Sequence, residues 1–265
     1  MTRWNISIAA AAVLALPALA RAGVVVDMQE HGTSSTFTTE GKKLRVDQGG
    51  DHPGIMIFDG DAQKFYQIHP AEKTYTEMTQ ADAKVVADQM QEMLARIPPE
   101  QRAKVQAMMG QRHETTSTAS EHAVEYEPSG AKQTVAGYAC VGYRVVRHGK
   151  SEEEGCFIPW SANVVRKDDM TALVEMGRFM EKFMAGAYGG AGGQPRGQLH
   201  LVEEMQRAPG FPALMERVEG GKRTTESRLV TVKRVSVPSD RFQVPAGFTK
   251  VPLHMLGNGG GPGAR

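Results

Sequence analysis

Read for polarity alone, the chain alternates between two rhythms. "GVVVDMQE" opens with a β-branched run, and "STFTTEGKKLRVDQ" repeats it around a Glu40-Gly41 turn. "GIMIFDGDAQKFYQIHPAEKTYTEM" then reads as strand, turn at Asp59-Gly60-Asp61, strand, turn around Pro70, strand. From Thr79 to Ile97 the period changes. Val86, Met90, Met93, Leu94 and Ile97 recur at helical spacing, and Thr79 stands as a cap with Asp82 where a capping-box acid belongs. Pro98-Pro99 closes this helix and suits the first turn of another, running to Gly110.

The strand rhythm resumes near Thr115 and continues through "HAVEYEP" and "GYACVGYRVVRHGKSEEEGCFIPW". A second helical stretch, Asp168 to about Ala187, carries Leu173, Met176, Phe179, Met180, Phe183 and Met184. It ends in "GAYGGAGGQPRG", a composition suited to a linker or lid hinge, and residues 198–208 predict a third short helix. "ALMERVEGGKRTTESRLVTVKRVSV" predicts two strands joined at Gly220-Gly221, and "GNGGGPGAR" a flexible tail over 252–265. The economical architecture is α+β: one antiparallel sheet, interrupted by helical insertions at about 79–110 and 168–208 that cover one of its faces.

Composition changes this picture at the N-terminus. Arg3, an apolar run from Ile6 to Leu16 and the small-x-small triplet Ala20-Arg21-Ala22 predict a cleavable export signal over 1–22, cut after Ala22 or Ala20. The run is shorter than the ~20 residues needed to span a bilayer, and no cysteine follows the cut to carry a lipid anchor. The expectation is a mature single domain over 23–251 in an oxidising space, the bacterial periplasm. Loss of Arg3 and Arg21 leaves 29 basic against 30 acidic residues. That balance provides no electrostatic attraction for nucleic acid.

The only two cysteines are Cys140 and Cys156. Strands from about Gly137 to Arg147 and Glu153 to Trp160 would flank the polar turn "RHGKSEEE", and a turn centred near residue 148 sets the two cysteines opposite one another. There is no Cys-x-x-Cys at a helix start and no second ligand pair for zinc. The expectation is a structural disulfide in an oxidising compartment.

The chain holds fifteen methionines, and many fall on the two helical stretches. They read as the core face of helices packed on a sheet, or as a pliable surface for hydrophobic ligands. Copper binding is the weakest alternative, because these methionines follow helical spacing rather than dense Met-x-x-Met clusters. The histidines are scattered: His69 in a turn, His148 in a hairpin loop, His113 beside Glu114 without metal-binding spacing. No Gly-x-Ser-x-Gly elbow or Ser-x-x-Lys occurs, and the glycine-rich loop at 189–197 lacks the Lys-Ser/Thr of a phosphate-binding loop. Asp168-Asp169 reads as a helix N-terminal charge pair rather than a catalytic dyad. No catalytic residue, metal or cofactor is expected, and the chain reads as a non-enzyme.

Several stretches, in order, resemble an exported bacterial family catalogued as domain of unknown function 4412. They are "GKKLRVD", "IMIFDGDAQKFYQIHPAEKTYTEM", a Met-rich helix closed by "LARIPPEQR", "TVAGYACVGYRV", "GFPALMERVEGG" and "VPSDRFQVPAGFTKV", spanning about Leu44 to Val251. The resemblance implies a relative of the periplasmic lipoprotein-carrier fold: a strongly curved antiparallel sheet, a half-open β-barrel, with inserted helices covering the concave face. In carriers of that shape the concave face takes acyl chains or other lipids. The expected function is therefore binding of a lipid or other hydrophobic ligand between the sheet and Met90, Met93, Leu94, Met176, Phe179, Met180 and Phe183. The alternative is an envelope structural or interaction protein with a filled core and a protein partner.

Overall fold

A computed structural model describes residues 22–51, 53–98, 124–147, 150–188 and 204–253, with the side chains of residues 90, 93, 94, 150–152 and 188 excepted. Six strands come first: β1 (Ala22–Glu30), β2 (Thr33–Glu40), β3 (Lys43–Gln48), β4 (Gly54–Asp59), β5 (Lys64–His69) and β6 (Thr74–Met78). Helix α1 (Asp82–Arg96) follows, then β7 (Glu125–Val135), β8 (Tyr138–Arg147) and β9 (Lys150–Pro159). A 3-10 turn (Lys167–Met170) leads into α2 (Thr171–Tyr188), and β10 (Gly210–Glu219), β11 (Lys222–Ser236) and the short β12 (Thr249–Lys250) complete the chain. The predicted third helix is helical over 204–207. The helix expected from Pro99 to Gly110, the strand start near Thr115, the glycine-rich loop at 189–197 and the tail from residue 254 lie outside the described residues.

All twelve strands form one sheet in the order β12-β6-β5-β4-β3-β2-β1-β11-β10-β9-β8-β7. Only β12 runs parallel to its neighbour, and the end strands do not pair, so the sheet is open. Its hairpins follow from local turn chemistry. Glu219 pairs with Lys222 across Gly220 (φ 57°) and Gly221 (φ 82°), the doubly left-handed geometry of a type I′ turn that glycine adopts without a Cβ clash. The predicted turn at Asp59 is capped by its own carboxylate, which accepts the N–H groups of Asp61 and Ala62 at 3.0 and 2.9 Å. At the start of α1, Asp82 accepts the Thr79 N–H at 2.7 Å, as the capping-box spacing predicts.

β3 and β4 show why their sequences are so apolar. Leu44, Val46 and Phe58 pack beneath α1 and α2, against Val86, Phe179 and Phe183. Their neighbours Ile57 and Ile68 point the other way, into a second small core closed by Phe242, Val244 and Phe248. That second core was absent from the sequence reading. The C-terminal segment lies across the back of the sheet, where buried Arg45 donates to the Arg241 carbonyl at 3.1 Å and to Asp47. Leu253 also packs on the helix-covered core.

The disulfide is present. Cys140 and Cys156 are joined with Cα atoms 5.4 Å apart, and both are about 2% exposed. The expected register is corrected, however. Cys156 pairs with Gly142, not Cys140: Arg147 pairs with Lys150, one residue off a turn centred at 148, and an irregularity between Val145 and Val146 adds the second residue of the offset. "KSEEE" is correspondingly strand rather than turn. A two-residue offset keeps side chains on their original face, so the cysteines still meet diagonally.

Candidate functional site

The strongest candidate is a cavity of about 320 Å³ between the sheet and a short roof. One wall is the alternating set Val24, Val26 and Met28 of β1, with Phe37 and Thr39 of β2 beside it, paired Val26 to Phe37 and Val24 to Thr39. The opposite wall comes from Tyr126 of β7, Val145 and Arg147 of β8 and Phe157 of β9. Phe157 is held edge-on by Tyr126 at 5.4 Å and Tyr143 at 5.7 Å, a favoured aromatic geometry. β10 contributes Gly210, Phe211 and Met215. A Cβ at Gly210 would sit 2.1 Å from the Ile158 carbonyl oxygen, so only glycine allows β10 to approach β9 this closely.

The roof consists of Met170 and Leu173, at the start of α2, and Glu204, Met205 and Ala208. Its second part is tied down along its length. The Tyr126 hydroxyl donates to the Glu204 carbonyl at 3.3 Å, the Lys167 ammonium to the Gln206 carbonyl at 3.4 Å, and the Trp160 indole N–H to the Ala208 carbonyl at 2.8 Å. Arg147 adds a charged clasp: its Nη2 reaches Glu204 at 3.0 Å and its Nη1 pairs with Glu153. Burial opposes the guanidinium charge, but the bonds to Glu204 and Glu153 outweigh it and hold the Arg147 pKa above its ordinary value. Burial, reinforced by the Glu204 carboxylate, pushes the Tyr126 phenol up to about 12.

Asp169 lines the cavity where α2 begins. It accepts the Arg166 N–H at 2.7 Å, at the helix start where the charge pair was expected, and binds Arg234 of β11 at 2.5 Å. Burial alone would raise its pKa; the hydrogen bonds from Arg234 and the Arg166 backbone prevail and hold it below the usual carboxylate value.

The structure separates this cavity from four of the seven residues expected to bind. Phe179 and Phe183 are about 1% and 0% exposed in the filled core between α1, α2 and the sheet, with Met176 and Met180 packed at its margin. Phe179 lies 5.6 Å from Phe58 and 6.3 Å from Phe183. None of the four lines the cavity, which meets α2 only at its first turn. The backbones of Met90, Met93 and Leu94 belong to α1, but their side chains lie outside the described residues. The cavity is lined instead by residues of β1, β2 and β7–β10 that helical spacing does not point to. Alternation in "GVVVDMQE" marks Val24, Val26 and Met28 as one face, yet nothing local shows that this face borders a space. Among the described residues no group of His, Cys, Asp and Glu is placed to hold a metal ion. The lining carries neither histidine nor cysteine.

The site and fold together define an open, mostly antiparallel sheet with helices on one face and an apolar, acid-rimmed cavity beside them. No family model matches the chain, so the resemblance described above rests on the quoted stretches alone. No curated protein matches it either. A solved structure of PNGF-II aligns over 87% of this chain and 30% of its own length, at 9% identity and a TM-score of 0.32. The chain thus spans less than a third of that protein, and a superposition so loose carries no argument.

Proposed function

We propose that this chain is an exported, periplasmic, non-enzymatic binding protein whose cavity holds one hydrophobic molecule, a lipid or acyl chain in class. The observation that carries the reading is the cavity itself: apolar over most of its wall, roofed by a tied segment, and within the usual ligand-pocket range of about 300–1,000 Å³, at its lower end. That size suits a single chain rather than several. The binding residues under this reading are Val26, Met28, Phe37, Phe157, Met205 and Phe211, not the α2 set.

A half-open barrel is the shape that accounts for the cavity. β11 and β7 stand four strands apart in the sheet yet come within 8 Å between Cα atoms. A flat sheet would hold them roughly 19 Å apart, at about 4.8 Å per strand. Curling on this scale lets Phe37 of β2 and Tyr126 of β7 line one space. β1 begins at Ala22, so cleavage after Ala20 spares the strand and cleavage after Ala22 removes only its first residue, paired with Ser236.

The competing reading is an envelope interaction protein without a small ligand, and the filled core at Phe179 and Phe183 favours it. Titrating the mature protein with the neutral fluorophore N-phenyl-1-naphthylamine decides between them. Saturable, one-to-one binding that Met205→Asp weakens about tenfold (roughly 1.4 kcal/mol) supports the cavity. Absence of saturable binding turns the assignment to the interaction protein.

A further inference from the structure

The lining of the cavity is charged as well as apolar. Three carboxylates line it, Glu30, Asp169 and Glu204, against one cation, Arg147. That cation is already engaged. Its Nη1 pairs with Glu153, and its Nη2 and Nε reach the two Glu204 oxygens at 3.0 and 3.4 Å. Arg234 neutralises Asp169, and the Lys167 ammonium rests 5.9 Å from the centre of the Trp160 ring. Glu30 accepts the Ser35 hydroxyl at 3.2 Å and has no ion-pair partner among the described residues. The charge that these ion pairs leave over in the lining is therefore the Glu30 carboxylate.

An incoming fatty-acid carboxylate would meet no unpaired cation in the lining, where Arg147 is held by two acids. It would be desolvated beside like charges, which disfavours it. A cationic head meets the reverse: the Glu30 carboxylate, which has no ion-pair partner among the described residues, and the ring of Tyr126, whose face attracts an ammonium group. Resting on the cavity reading, we infer that the ligand is a single-chain amphiphile with a cationic head, of the quaternary or primary ammonium type, and that free fatty acids are rejected.

The test uses the mature protein loaded with N-phenyl-1-naphthylamine and displaces the probe with three amphiphiles of equal chain length below their micelle concentrations: dodecyltrimethylammonium, dodecyl maltoside and dodecanoate. The expected order is cation, neutral, anion. The cation should be about tenfold tighter than the anion, as one net charge at screened range produces for each head. Glu30→Gln should narrow that ratio about threefold, and raised salt should narrow it further. Equal displacement by all three, or dodecanoate displacing best, overturns the inference and leaves the cavity reading standing. Failure of the probe to bind at all overturns both.

Discussion

Phe179→Ala is the perturbation on which the separation of core from cavity turns. Phe179 is about 1% exposed, wedged between Phe58 at 5.6 Å and Phe183 at 6.3 Å beneath α1. Truncating a buried phenyl leaves a void and costs about 3–5 kcal/mol, and the loss of two ring pairs places this case in the upper half of that range. The roughly 190 described residues, at about 2.1 cal/mol/K each, correspond to an unfolding entropy near 0.4 kcal/mol/K. The melting temperature should therefore fall by about 10 °C. Because Phe179 does not line the cavity, probe affinity measured well below the melting point should stay within about twofold of the parent protein. Circular dichroism melts beside the fluorescence titration give both numbers. A melting shift under about 3 °C would mean the core is not packed as described. A tenfold affinity loss in a folded variant would return Phe179 to the binding site.

Two further outcomes are expected. The disulfide closes a loop with a sequence separation of 16 and is buried, so the Cys140→Ala, Cys156→Ala double variant should lose about 3 kcal/mol in denaturant unfolding; an unchanged unfolding midpoint would show the link to be idle. Tyr126, held near 12 when folded against the ordinary 10, keeps its proton while the unfolded chain ionises, so folding stability should fall as pH rises from about 10 to 12. Tyr126→Phe should lose the highest step in the tyrosinate absorbance titration, and an unaltered titration would refute the burial of that phenol.

Much of the architecture was legible because its causes are local. Gly220-Gly221 specifies a tight turn wherever it stands, and Thr79 with Asp82 caps a helix through atoms three residues apart. The cysteines could be paired from compartment and approximate register, since a two-residue slip preserves the face. The slip itself was not legible, because the irregularity at Val145/Val146 depends on how β8 and β9 twist together.

The cavity was not legible for the same reason. Helical spacing shows that Phe179 and Phe183 are buried, but not whether a ligand or Leu44, Phe58 and Val86 bury them. The sequence by itself determined most of the elements and the tight glycine turn, the acid-base balance and the cross-link. Only the tertiary structure decided which apolar faces meet and which border a space. The cavity takes residues as far apart as Val24 and Phe211, joined by a sheet whose curling no short window of sequence encodes. Burial is a property of pattern, whereas a cavity is what remains when distant patterns fail to touch.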